Sequence, residues 1–191
     1  EEDRQACKQK IYDFNQLPPS RQSKEAPQMI KNIFGKTGEN VWVEAPFHCD
    51  YGWNIEVGEN FYSNYNLTIL DVGKVTCGKN VQIAPNVSIY TAGHPVHPDS
   101  RNSGYEYGIP VTVGDNVWIG GNTVILPGVT VGSNVVIGAG SVVSKDIPDN
   151  TIAAGNPCKV IREITDEDRI YYFKKQKFDD EAWEEVKNKN K

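Results

Sequence analysis

Residues 111–146 read VTVGDN VWIGGN TVILPG VTVGSN VVIGAG SVVSKD, six consecutive blocks of six. An aliphatic residue stands third in every block: Val113, Ile119, Ile125, Val131, Ile137 and Val143. Glycine follows it directly at Gly114, Gly120, Gly132 and Gly138. A helix would scatter positions six apart over different faces, and a plain strand alternates every two residues without needing glycine at a fixed place. A short strand plus a corner satisfies the period. Its aliphatic residue always points to a common axis, while Gly, Asn and Asp supply corners where positive φ costs little. Three blocks then close one turn of a triangular coil, and stacked coils pair as parallel strands about 4.8 Å apart. The sequence therefore predicts a mainly β chain folded as a parallel β-helix of hexapeptide repeats. A valine-rich β-sandwich, with turns at irregular spacings of roughly 8–12 residues, does not produce six matches at one fixed period.

The pattern extends upstream through Cys77, Ile83 and Ile89, and again at Val57-Gly58, twenty residues before Cys77, which is one coil plus two residues. Glycine tracks it, since 15 of the 17 glycines lie between Gly52 and Gly155, a density that excludes helices there. One coil cannot bury its inner face alone, so the array needs a cap. Residues 1–40 suit that role. Cys7, Ile11 and Phe14 share one helical face, and Met29, Ile30, Ile33 and Phe34 repeat the pattern after Ser23 as the expected helix cap, with Leu17-Pro18-Pro19 between the two helices. Three segments result: a helical segment at 1–40, a β-helix at 41–160 with an inserted loop at 91–110, and a C-terminal extension at 161–191. In the extension Thr165 and Asp168 have capping-box spacing, whereas Tyr171, Tyr172 and Phe173 suit a strand, and both readings stay open.

Charge follows the same division. Residues 1–40 carry seven basic and six acidic side chains, while 107–144 carry only Asp115. The net charge of −5 argues against a general nucleic-acid surface. No apolar run approaches the ~18 residues of a membrane span, and EEDRQACKQK lacks the pattern of a signal peptide, so a cytoplasmic protein is expected. Cys7, Cys49, Cys77 and Cys158 are widely spaced with no CxxC pair, and free, mostly buried thiols are expected.

The period fails once inside the array, at TAGHPVHPDSRNSGYEYGIP, residues 91–110. An interruption of a solenoid is a place for function, and this one holds His94, His97, Asp99, Arg101 and Glu106. A noncatalytic rod has no use for such a loop. A zinc site is not expected, because HxxH lies in an irregular stretch beside prolines and His48 is remote. Gly138-Ala139-Gly140 lacks the third glycine and the following helix of a dinucleotide fingerprint.

The repeats, together with YTAGHPVHP, RNSGYEYGIPVTVGDNVWIGG, LPGV at 126–129, SKDIP and AAGNPCKVIREI, resemble the maltose and galactoside O-acetyltransferase family of hexapeptide-repeat acetyltransferases. The resemblance covers nearly the whole chain. It implies a left-handed parallel β-helix, although parallel crossovers in general favour the right hand. It also implies a homotrimer with active sites between subunits, and transfer of acetyl from acetyl-CoA to a sugar hydroxyl without an acyl-enzyme. On its pattern His94 matches the general base and the Gly121 backbone N–H matches an oxyanion donor. Asp50, Tyr62 and Asn64 match the acceptor pocket, although a solenoid corner is an equal reading of Asn64. Glu106 is placed with them, and we expect either Glu106 or Asp99 to hold the His94 imidazole in its working tautomer. Trp118, Gly121, Ala139, Ser144, Lys145, Lys159 and Arg162 match positions that hold coenzyme A. A core or interface aromatic competes for Trp118, and ordinary surface charge for the lysines and arginine. Relatives on the same coil acetylate other acceptors, such as xenobiotic antibiotics or amino sugars.

Overall fold

The computed structural model describes residues 2–189. Two helices, α1 (Glu2–Asn15) and α2 (Pro19–Ile33), precede a three-faced parallel β-solenoid. Helix α2 begins at Pro19 rather than after Ser23, because proline fits the first helical position, where no backbone N–H is needed. Cys7, Ile11 and Phe14 of α1 and Ala26, Ile30 and Ile33 of α2 are buried, so the helices close the first coil as the cap it requires.

The first face stacks Val41–Val43, Phe61–Ser63, Gln82–Ile83, Trp118–Ile119, Val136–Ile137 and Thr151–Ala154, all parallel, and ends in antiparallel Lys159–Glu163. The second stacks Phe47–Cys49, Leu67–Leu70, Ser88–Tyr90, Val124–Ile125 and Val142–Val143. The third stacks Ile55–Val57, Val75–Cys77, Val111–Val113 and Thr130–Val131. Register puts like on like along the axis: Ile83, Ile119 and Ile137 form one column, and Ile69, Ile89, Ile125 and Val143 another, each at most 1% exposed.

Asparagines turn the corners. Asn60, Asn80, Asn116, Asn134 and Asn150 all have positive φ, between 55° and 58°, and each amide donates to the side-chain oxygen of the next at 2.8–2.9 Å. The steps of this ladder are 20, 36, 18 and 16 residues, so coils of unequal length keep one register and every surplus residue is extruded elsewhere. The repeat glycines do something other than turn the chain. At Gly78 an added Cβ would lie 2.8 Å from the Gly114 carbonyl carbon, and at Gly114 2.8 Å from that of Gly132. These glycines let successive coils approach, while positive φ falls to the asparagines two residues later. Replacing Asn116 by alanine should cost about 2 kcal/mol, from its two exposed ladder bonds, to Asn80 and Asn134, and the left-handed φ together. Asn116→Gly, which keeps the φ, should lose less, as read by chemical denaturation.

Beyond the solenoid, a capping box at Thr165 and Asp168 opens a 3-10 helix at Asp166–Ile170. Tyr171–Phe173 then pairs with Gln176–Lys177, and a further helix spans Asp180–Lys189, so the extension uses both of the readings the sequence left open. All four cysteines are free and buried, with burial pushing the Cys77 thiol up to about 12. No helix among the described residues is long and apolar enough to cross a membrane.

Candidate active site

All the surplus residues leave the solenoid at one corner, between the second and third faces. Asp50–Asn54, Asp71–Lys74 and the long loop 91–110 stack there, each following a second-face strand. Two buried side chains brace this corner. Asp71, fully buried, accepts from the backbone N–H groups of Asp50, Tyr51 and Gly52 at 2.7–3.0 Å. Burial raises its pKa, and the three N–H donors oppose that shift. Thr91 donates its hydroxyl to the Leu70 carbonyl and accepts from Gly73 N–H.

From Thr91 the loop leaves as a ribbon, Ala92–Gly93 against Tyr107–Gly108. Its tip is the short helix Pro98–Asn102, with His97 Nδ1 accepting the Asp99 N–H. Arg101 clamps the base of that helix by donating to the carbonyls of Pro95 and Val96 at 3.3 and 2.9 Å. His94 sits where the ribbon ends, and its Nδ1 lies 2.9 Å from the Tyr105 carbonyl oxygen. A carbonyl can only accept, so Nδ1 carries the proton and the lone pair stands on Nε2. This reassigns a sequence expectation: the backbone of Tyr105, not a carboxylate, selects the tautomer. Glu106 instead approaches the other nitrogen, with Oε1 3.9 Å from Nε2, and Asp99 lies by His97.

Asp50 belongs to the same corner and is 6% exposed, paired with Arg4 of the cap helix. Arg4 was not among the residues expected from sequence. Its signal was its place one turn ahead of Cys7 on the face that α1 buries. Ser144 and Lys145 are exposed farther along the same corner, after Val142–Val143.

The remaining predicted residues lie elsewhere on the triangle. Tyr62 and Trp118 point outward from the first face in the column Trp42, Tyr62, Gln82, Trp118, Val136 and Ile152, separated by one coil. Trp118 is 55% exposed, which removes the core reading of this aromatic. Asn64 and Gly121 lie at the next corner, between the first and second faces. There the turn is made by Asn66, Asn86 and Asn122 at positive φ, so Asn64 is not the turning residue. Its Oδ1 accepts the Tyr65 N–H at 2.7 Å, which leaves its amide N–H groups to donate.

Gly121 occupies the position of Pro85 in the coil below, as shown by Asn122 donating to Pro85 and Gly140 to Gly121. Gly120 donates to Ile137, but among the described residues no acceptor takes the Gly121 N–H. Ala139 follows one coil later, exposed. Lys159 and Arg162 lie on the antiparallel return strand of the first face. Arg162 is already engaged, donating twice to the Asp168 carboxylate at 2.6 and 2.7 Å and holding that carboxyl at about 2.

The chemistry thus divides into two groups. One corner carries His94, Glu106, Asp50, Ser144 and Lys145, and the first face with its adjoining corner carries Tyr62, Asn64, Trp118, Gly121 and Ala139. Among the described residues, no three His, Cys, Asp or Glu side chains gather as a metal site.

Comparison with known proteins places this arrangement. Residues 110–145 match the bacterial transferase hexapeptide family (six repeats), and residues 1–38 match the maltose acetyltransferase hexapeptide capping motif. Galactoside O-acetyltransferase of Escherichia coli strain K12 is 54% identical over 167 residues, 87% of this chain and 82% of that protein. A solved galactoside acetyltransferase in complex with coenzyme A superposes with a TM-score of 0.90 at 53% identity, covering 93% of this chain and 88% of the other. A hexapeptide-repeat acetyltransferase of Vibrio cholerae O1 biovar eltor, complexed with acetyl coenzyme A, gives 0.81 at 34% identity over 86% of this chain and 88% of the other.

Proposed function

Because this chain belongs to the maltose/galactoside O-acetyltransferase family of hexapeptide-repeat acetyltransferases, we propose that it moves acetyl from acetyl-CoA to a sugar hydroxyl by direct transfer, in the cytoplasm. The observation that carries the mechanism is the Nδ1–H to Tyr105 carbonyl bond, which leaves His94 Nε2 as a proton acceptor on an exposed loop. His94 takes the proton of the sugar hydroxyl as its oxygen attacks the thioester carbonyl. The new oxyanion accepts the unspent N–H of Gly121. Collapse breaks the C–S bond, and the imidazolium returns its proton to the departing thiolate. The products are the sugar ester and coenzyme A.

Asp50, Tyr62, Asn64 and Glu106 hold the acceptor, since carboxylate and amide groups fix sugar hydroxyls by direction. Trp118, Gly121, Ala139, Ser144, Lys145 and Lys159 hold the coenzyme A arm and its phosphates. Arg162 serves that site only by giving up Asp168, so its contribution is smaller than its sequence position suggests.

The base and the oxyanion donor stand at different corners of one rigid triangle. Bringing them together calls for a second copy, and a contact of one corner against a different corner is heterologous, the kind that forms a ring when the rotation between copies closes. A homotrimer with sites between subunits satisfies this. The test is acetyl-CoA with a panel of galactosides, maltose, amino sugars and antibiotics, reading released thiol. Transfer to neutral sugars is expected, and thiol release with none of them rejects the proposal.

A further inference from the structure

Three successive second-face strands end in turns that stack on one another at the His94 corner, and two fully buried side chains tie those turns together. Asp71 Oδ1 accepts the N–H of Asp50 at 2.8 Å and of Tyr51 at 3.0 Å, and Oδ2 accepts that of Gly52 at 2.7 Å. Asn54 closes the same turn from its other end by donating to the Asp71 carbonyl at 2.7 Å. Thr91 then joins the second turn to the third. Its hydroxyl donates to the Leu70 carbonyl at 2.6 Å and accepts the Gly73 N–H at 2.8 Å, while its own carbonyl accepts the Ile109 N–H at 2.8 Å, where the loop returns. Gly73 and Gly108 meet backbone to backbone, since a Cβ added at Gly108 would lie 2.7 Å from the Gly73 nitrogen. The ribbon of Ala92–Gly93 and Tyr107–Gly108, which ends at His94, is thereby seated on the turn that Asp71 begins.

We propose that Asp71 is a positioning residue for the acceptor: its carboxylate sets the turn that presents Asp50, and Thr91 fixes that turn against the root of the loop that presents His94. The inference rests on the reading of Asp50 as an acceptor contact and of His94 as the base. Neither Asp71 nor Thr91 reaches solvent, so both act through the groups they hold. Position matters because a displacement of about 1 Å between a reacting group and its base can cost 10²-fold in rate. The carboxylate is specific to the task. Three N–H groups converge on its two oxygens, whereas an amide offers one oxygen and turns its own N–H toward a donor. Among the described residues, none of those read as holding coenzyme A bonds to the Asp71 or Thr91 side chain.

Steady-state acetyl transfer in Asp71→Asn, Asp50→Asn and the double variant tests this. In Asp71→Asn the KM for the acceptor should rise roughly tenfold, while the KM for acetyl-CoA stays within about twofold of wild type. In the Asp50→Asn background the same substitution should add less than about twofold, because its effect passes through Asp50. Two KM values that move together, or losses that add in the double variant, overturn the inference. Should Asp71→Asn not fold, Thr91→Val takes its place, since it keeps the side-chain shape and loses both hydroxyl bonds. The acceptor KM should rise in Thr91→Val and return in Thr91→Ser, and equal values in the two overturn the inference. Hydrogen exchange over residues 50–52 needs no substrate. Protection there should fall in Asp71→Asn, and unchanged protection also overturns the inference, whereas failure of the sugar reading appears as a wild type without transfer.

Discussion

His94→Ala should lower kcat/KM for acetyl transfer by about 10²- to 10⁴-fold, the usual contribution of a positioned general base, while the protein stays folded. The reason is local. Nδ1 is committed to the Tyr105 carbonyl and Nε2, with Glu106 Oε1 3.9 Å away, is the ring nitrogen left to accept, so removal of the ring takes away the imidazole that the loop orients for proton transfer. His97, three residues on, provides the control, because its Nδ1 caps the short helix Pro98–Asn102 instead. His97→Ala should loosen the turn and keep activity within about tenfold of wild type, since a lost cap costs only about 1 kcal/mol. Thiol release at saturating acetyl-CoA reads both variants. Equal loss in the two would mean that loop order, not His94 chemistry, limits the rate.

The largest expected loss of stability lies on the axis. Ile119 is fully buried between Ile83 of the coil below and Ile137 of the coil above. Ile119→Ala removes packing against both neighbours, in a column whose backbone register is fixed and cannot collapse into the gap. A loss of about 2–5 kcal/mol follows from the cost of cavities in packed interiors. Thr112, exposed on the third face between Thr76 and Thr130, makes the contrast. Thr112→Ala should stay within about 0.5 kcal/mol. Denaturant unfolding at one fixed protein concentration compares them, and equal losses would contradict an axis held by aliphatic columns.

The solenoid was legible because its rule is local. Each coil repeats the same inward residue, and the columns from Ile83 to Ile137 and from Ile89 to Val143 follow from a six-residue count. The glycines were harder to read, since a sequence does not distinguish a residue that turns from one that permits contact. Gly114 serves contact with the next coil, and Asn116 turns. The break in the period pointed to the loop, and the loop holds His94.

What sequence could not supply was the partner of each polar group. A backbone carbonyl such as that of Tyr105 leaves no side-chain signature, so Glu106 and Asp99 were expected in its place. Arg4 was hidden for a similar reason. Its partner Asp50 lies 46 residues away, and only closure of the cap helix over the first coil brings them together. The extension carried contradictory local signals because it contains several short elements, each too brief for periodicity to settle.

The central claim is that one site is assembled from the His94 corner of one copy and the Gly121 corner of the next. Subunit complementation tests it most directly. His94→Ala and Gly121→Pro, the second removing the N–H donor at a position where the coil below already carries Pro85, each expected to be defective alone, are co-expressed with different tags and the mixed assemblies isolated. In every mixed trimer, two-to-one or one-to-two, one of the three interfaces pairs an intact His94 with an intact Gly121, so about a third of wild-type thiol release should return. Mixed trimers no more active than either parent would contradict the shared site and place the chemistry within a single chain.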